Sequence, residues 1–199
     1  MRDTGSVAQF NRIARRYDSS LGQYGCRRAD PDVLAAAADL SPETVLDVGC
    51  GTGRLLALAA GRWPRALLHG VDPASEMIRV ASEKLPRARL HVSGAERLPF
   101  PNRSFDLVFS TTAFGHWQDQ PAGLREIARV LRGAGRLVLA EHRPPPRWAR
   151  PLLSVIGGEL PAHRAPEEMR HLLTQAGFEV RSIGRVRGGL VLAVAEPAS

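Results

Sequence analysis

Three groups of residues have the types and spacing to do chemistry. Val45 to Gly53 reads VLDVGCGTG, with Gly49, Gly51 and Gly53 at alternate positions directly after a short apolar, β-branched run. Glycines placed there let the backbone turn tightly and approach a ligand with no Cβ in the way, whereas in an ordinary strand-to-helix turn Cys50 is small filler. Asp72, followed by Pro73, stands nineteen residues beyond Gly53. A carboxylate at such a strand end accepts both hydroxyls of a ribose, each charge-assisted bond contributing about 1.5 to 3 kcal/mol when shielded from water; an Asp before Pro is also a common helix cap. The third group is Thr111 to Trp117 (TTAFGHW), in which His116 is the one candidate general base, since an imidazole titrates near neutral pH. His116 serves equally well as a packing or capping residue.

The glycine spacing narrows the ligand. Dinucleotide folds carry Gly-x-Gly-x-x-Gly, and Arg54 stands where their third glycine packs helix on strand; a phosphate loop needs Gly-Lys-Ser/Thr, which is absent.

Elements that position these residues follow from periodicity and breakers. After an N-terminal helical preface, strands are expected at Thr44–Val48, Ala66–Val71, Arg89–Val92, Ser104–Ser110 and Arg136–Ala140, and helices at Arg54–Ala60, Ala74–Leu85 and Pro121–Leu131. Gly133 and Gly135 are read as a turn, and a helix over Pro166–Ala176 precedes a closing antiparallel hairpin of Phe178–Ile183 and Leu190–Ala195. Such alternation predicts a parallel sheet covered by helices, with ligands at the carboxyl ends of its strands.

Composition bounds the rest. A chain of 199 residues, 44% hydrophobic and 24% charged, has the size of one domain and the apolar content for a conventional core. No apolar run approaches the roughly 18 to 20 residues of a membrane span, and residues 1–18 carry charge throughout, so a cytoplasmic location is expected. Cys26 and Cys50 form neither a CxxC pair nor a ligand set with the six histidines, so no metal is expected. The net charge of +7 comes almost wholly from scattered arginines, Lys84 being the sole lysine, which argues against a phosphate-tracking surface and against nucleic acid as partner.

Taken together, the VLDVGCGTG string resembles motif I of the class I S-adenosylmethionine-dependent methyltransferases, nearest to the small-molecule branch of ubiquinone/menaquinone-type enzymes (methyltransferase type 11). The resemblance implies S-adenosyl-L-methionine as cofactor, its methionine end wrapped by Gly49, Cys50, Gly51 and Gly53 with Asp47 orienting the amino group, directly or through water. It further places Asp72 and Pro73 at the ribose, Met77 near adenine, and Tyr17, in the stretch Phe10 to Asp18, close to the cofactor. Gly94 to Pro101 (GAERLPFP) resembles a third signature whose usual Asp is here Gly94, leaving Ala95 and Glu96 to read the base. Thr111 joins this set from just after the fourth strand, and Leu124 to Ala140 resembles the helix, glycine turn and fifth strand of the branch. No Asn-Pro-Pro-Tyr or Asp-Pro-Pro-Tyr string follows strand four, which disfavours methylation of nucleic-acid bases.

The expectation is therefore a Rossmann-like α/β fold, a seven-stranded mixed sheet with helices on both faces and the last strand antiparallel. Residues 1–199 are read as a single methyltransferase domain, with an N-terminal cap (1–40), a cofactor-binding core (41–141), a candidate lid (142–161) and a C-terminal helix and hairpin (162–199). The expected activity is direct methyl transfer to a small, apolar or aromatic acceptor. Phe114, Trp117 and Trp148 either line an acceptor pocket or belong to the core. The lid is assigned to Tyr17 and Tyr24 on one side and to Trp148, Leu152, Leu153, Val155 and Ile156 on the other. Alternatives are a cofactor-binding module without turnover and an NAD-dependent oxidoreductase; the atom methylated and the oligomeric state are left open.

Overall fold

A computed structural model describes residues 5–20, 23–145 and 162–198. Seven strands form one sheet in the order β3-β2-β1-β4-β5-β7-β6. They are β1 (Thr44–Val48), β2 (Leu67–Asp72), β3 (Arg89–Val92), β4 (Phe105–Thr111), β5 (Leu131–His142), β6 (Phe178–Arg185) and β7 (Leu190–Pro197). Strands β1 to β5 run parallel, and β7 lies antiparallel between β5 and β6. The helices are α1 (Gly5–Ile13), α2 (Gln23–Ala35), α3 (Arg54–Arg62), α4 (Ser75–Lys84), α5 (Gln120–Val130) and α6 (Pro166–Gln175), with a 3-10 turn at Ala14–Ser19 and another at Phe114–His116.

The sheet is covered on both faces, which is why its central strands read as unbroken apolar runs rather than alternating ones. Leu46, Val108, Leu137 and Leu139 point to the face packed by Leu124, Ile127 and Val130 of α5 and by Met169 and Leu173 of α6. Their neighbours Val45, Leu107, Phe109, Val138 and Ala140 point to the opposite face, against Ala29 and Val33 of α2, Leu55 and Ala59 of α3 and Trp63 at its end. The α5 start has the expected chemistry: Asp119 accepts from Ala122 N–H at 2.9 Å and Pro121 occupies the first turn.

One expected boundary is moved. Gly133 and Gly135 do not turn the chain ahead of a strand at Arg136; β5 already begins at Leu131, opposite Phe105, and the pairing resumes at Leu107 opposite Arg136. The glycines lie in a bulge, and a Cβ on Gly135 would stand 2.8 Å from Leu131 Cδ2 and 2.9 Å from the Arg132 carbonyl, so only glycine lets the chain fold so closely on itself. Among the described residues no helix is long and apolar enough to cross a membrane.

Candidate functional site

The carboxyl ends of β1, β2 and β4 open into a cavity of about 490 Å³. Gly49, Cys50, Gly51 and Thr52 form its floor. Gly49 has φ +78°, and a Cβ there would sit 2.2 Å from Ala113 Cβ, so the loop lies flat against the segment that follows β4. Gly51, with φ +54°, faces the cavity instead: the nearest atom to a built Cβ is Tyr17 Cε1 at 3.8 Å, and its N–H donates to Asp72 Oδ2 at 2.9 Å. Gly53 is absent from the cavity wall. It caps α3 and faces Ala81 and Leu85 of α4, so its place is in helix packing.

Cys50 contributes backbone to the wall and side chain to the core. Its sulfur lies among Leu56, Ile78 and Leu90, above Gly70, where a Cβ would meet it at 2.9 Å. Burial pushes its thiol well up, so it is no nucleophile.

Two carboxylates dominate the electrostatics. Asp47 is buried on the α2/α3 face of β1, with Oδ1 lacking a hydrogen-bond partner among the described residues; burial raises its pKa to about 7, with Asp72 and Asp30 adding to the rise and Arg54 opposing it. Arg54 is itself held by Asp30. Asp72, at the end of β2, is raised to about 6 by the surrounding protein despite accepting from Ala74 N–H at 2.8 Å and from Gly51 N–H. Thr111 adds a second buried, unpartnered oxygen on the same wall.

The far side is closed by the N-terminal segment. Phe10 and Tyr17 pack with Val7 and Ala14 against Met77 and Val80 of α4 and Ala74 just before it. Asp18 Oδ1 accepts from Thr52 Oγ1 at 2.6 Å, and its other oxygen pairs with Lys84, tying this segment to both the glycine loop and α4. Asn11 Oδ1 accepts from Glu76 N–H at 3.0 Å, at the start of α4. These ties bridge 34 to 66 residues between side chains of ordinary surface type, which is why no local pattern announces them. Tyr24 points away, 65% exposed and stacked on Arg28.

Pro73, Met77, Ala95 and Glu96 also line the cavity. Glu96 Oε1 accepts from Gln118 N–H at 2.7 Å, while Oε2 folds over Gly94, 2.6 Å from where a Cβ would stand; a longer residue at 94 would displace it. His116 and Trp117 complete the wall beyond Thr111. His116 is open to solvent through the cavity yet crowded on its inner side, with the Phe10 ring edge-on at 5.1 Å, and burial lowers its pKa. Phe114, by contrast, is fully buried core, and Trp117 packs edge-on against it at 5.0 Å. Trp148, Leu152, Leu153, Val155 and Ile156, assigned above to a lid, lie outside the described residues.

A methyltransferase-domain family model matches residues 46–139, the span from β1 through β5. Over most of its length the chain is 33% identical to a demethylmenaquinone methyltransferase of Thermus thermophilus, covering 86% of this chain and 92% of that one. It is 31% identical to a ubiquinone/menaquinone biosynthesis C-methyltransferase of Stenotrophomonas maltophilia, covering 92% and 85%. The chain belongs to the class I S-adenosylmethionine-dependent methyltransferases, in the quinone methyltransferase-like branch. A solved S-adenosylmethionine-dependent methyltransferase of Aquifex aeolicus superposes on this methyltransferase with a TM-score of 0.74 at 20% identity, over 94% of this chain and 98% of that one, so the fold is shared. Family membership makes S-adenosyl-L-methionine the cofactor of the methyltransferase and disfavours an NAD-dependent reaction. The cavity suits that molecule: a bare buried acceptor on Asp47, a second carboxylate on Asp72 and open space above Gly51 match a ligand carrying positive charge and hydroxyl donors.

Proposed function

We propose that the methyltransferase moves the methyl group of S-adenosyl-L-methionine to a small apolar or aromatic acceptor, a quinol-type ring fitting best, with His116 as proton acceptor. The cofactor supplies an activated methyl carbon on a good leaving group. The chain's residues then bind, align and deprotonate. Asp72 takes the ribose hydroxyls, and Asp47, ionising as it gains a cationic partner, takes the amino group, with Gly49, Cys50 and Gly51 offering backbone beside them. Pro73, Met77, Ala95 and Glu96 surround the base, Tyr17 closes over the cofactor and Thr111 borders the reacting end. His116 and Trp117 face the acceptor.

The observation that carries this reading is the continuity of one cavity from the carboxylates at β1 and β2 to His116 and Trp117 beyond β4. The relatives' names support a quinone-class acceptor. Nucleic acid is disfavoured by the arginines: Arg54, Arg79, Arg129, Arg132, Arg136, Arg181 and Arg187 are each paired with carboxylates.

Incubation with radiolabelled S-adenosyl-L-methionine and a short-chain demethylmenaquinol, beside catechol, histamine and tRNA, tests the proposal. Label transferred to the quinol supports it. Transfer only to tRNA, or tight S-adenosylhomocysteine binding with no transfer to any of these compounds, counts against it.

A further inference from the structure

The turn that presents His116 is tied down from behind by a buried carboxylate. Glu141, next to last in β5, is fully buried. Its Oε2 accepts from Gly115 N–H at 2.8 Å, and its Oε1 accepts from His142 N–H at 2.6 Å. The same Oε1 lies 3.3 Å from His163 Nδ1, close enough for electrostatic pairing though off the line of a straight hydrogen bond. Gln120 clamps the other side: its Nε2 donates to the carbonyls of Phe114 at 2.9 Å and Ala162 at 2.8 Å, and its Oε1 accepts from Arg164 Nε at 2.7 Å. Ala162 N–H in turn donates to the Gly115 carbonyl at 2.8 Å.

Holding a turn does not require a charge. An amide such as that of Gln120 does the same at no cost of burying an ion, and an ionised carboxylate away from water is expensive unless its oxygens are occupied. The Glu141 carboxyl is pulled up by burial, yet His163 and the N–H groups of Gly115 and His142 outweigh this and hold it below the usual range. A full negative charge therefore sits one residue from His116.

We infer that Glu141 is a positioning residue for His116, fixing the Phe114–His116 turn through Gly115 and placing its carboxylate behind the imidazole so that His116 can accept a proton from the acceptor. This rests on the reading of His116 as the base. Among the described residues, the groups facing His116 are Phe10 from α1, Glu141 and His142 from β5, and His163 ahead of α6. Burial lowers its proton affinity, Glu141 raises it, and His163 and His142 lower it further. Glu141 thus opposes the other three influences.

The test is an NMR titration of the His116 imidazole in the S-adenosylhomocysteine complex, with the signal assigned by its loss in His116→Asn. Glu141→Gln keeps the shape and an acceptor oxygen but removes the charge, and is expected to lower the His116 midpoint by about one pH unit. The acidic limb of the pH profile for transfer to demethylmenaquinol should move down with it. Should Glu141→Gln fail to fold, Glu141→Asp carries the test: it keeps the charge but draws it back from the turn, and is expected to lower the midpoint by a smaller amount. An unmoved midpoint in either folded variant overturns the role of Glu141. His116→Asn retaining full turnover instead overturns His116 as base, a separate result that leaves the titration of wild type against Glu141→Gln intact.

Discussion

Asp47 and Glu141 are both buried acidic residues near the carboxyl ends of neighbouring parts of one sheet, and they behave in opposite ways. Asp47 has a bare oxygen and is raised to about 7 by burial. Glu141 has both oxygens occupied by N–H groups and an adjacent imidazole, and is held low. A buried carboxylate left unsatisfied marks a place where a ligand completes the structure; one satisfied by its own chain holds that chain still. The Asp47 end of the cavity is thus built incomplete, and the turn behind His116 is built closed.

The sharpest way to break this contrast is to replace each carboxyl with a group that cannot ionise. Glu141→Leu strands the N–H groups of Gly115 and His142 and should cost about 3 to 5 kcal/mol in urea unfolding of the ligand-free protein. A loss below about 1 kcal/mol would mean the closed turn is ordinary packing. Gly51→Val should weaken S-adenosylhomocysteine by about 3 kcal/mol or more in calorimetric titration, more than a hundredfold. It places a branched side chain over the open floor and, because φ is +54°, also lowers ligand-free stability by about 1 to 2 kcal/mol. Retained binding would show that the floor does not contact the cofactor.

Asp72→Ala should weaken the same ligand by about 1.5 to 3 kcal/mol while the fold is kept. Unchanged affinity would remove the ribose assignment. The smallest effect is the most diagnostic. Asp47 and Asp72 have folded pKa values raised above the usual carboxyl, so the stability they contribute is present below about pH 4 and lost as pH rises through about 6 and about 7. Glu141, held low, has the opposite sign: its contribution is present above the usual carboxyl pKa and lost as pH falls through its lowered one. Asp47→Asn should therefore raise ligand-free stability at pH 8 by on the order of 1 kcal/mol relative to wild type, while weakening the cofactor. Saturating S-adenosylhomocysteine should flatten the wild-type decline between pH 5 and 8 by about the same amount. A ligand-free protein whose stability does not fall over that range would show Asp47 to be satisfied after all.

Much of the cavity floor was legible before the structure, because what it needs is local. Gly49 and Gly51 occupy backbone conformations that favour glycine, and Asp72 is the last residue of its strand, so residue type and spacing carry the message. Gly53 shares their pattern but faces α4, since alternation along a loop does not say which glycine meets a ligand and which meets a helix. Phe114 and Trp117 are three residues apart in one apolar string, yet only Trp117 reaches the cavity. The closed turn was illegible. Glu141 stands next to last in an apolar strand, where an acidic residue ordinarily marks the return to solvent, and its distant partners come from 26 residues before it and 22 after.

The sequence by itself determined the order of strands and helices, the turns that need glycine and the strand ends where carboxylates stand, because periodicity and backbone conformation are set within a few residues. Tertiary structure alone decided which carboxylate is left bare and which is surrounded. Whether a buried oxygen finds an N–H depends on which distant segments pack against it, and only the assembled sheet brings Gly115, His142 and His163 to Glu141 while bringing no such partner to the free oxygen of Asp47.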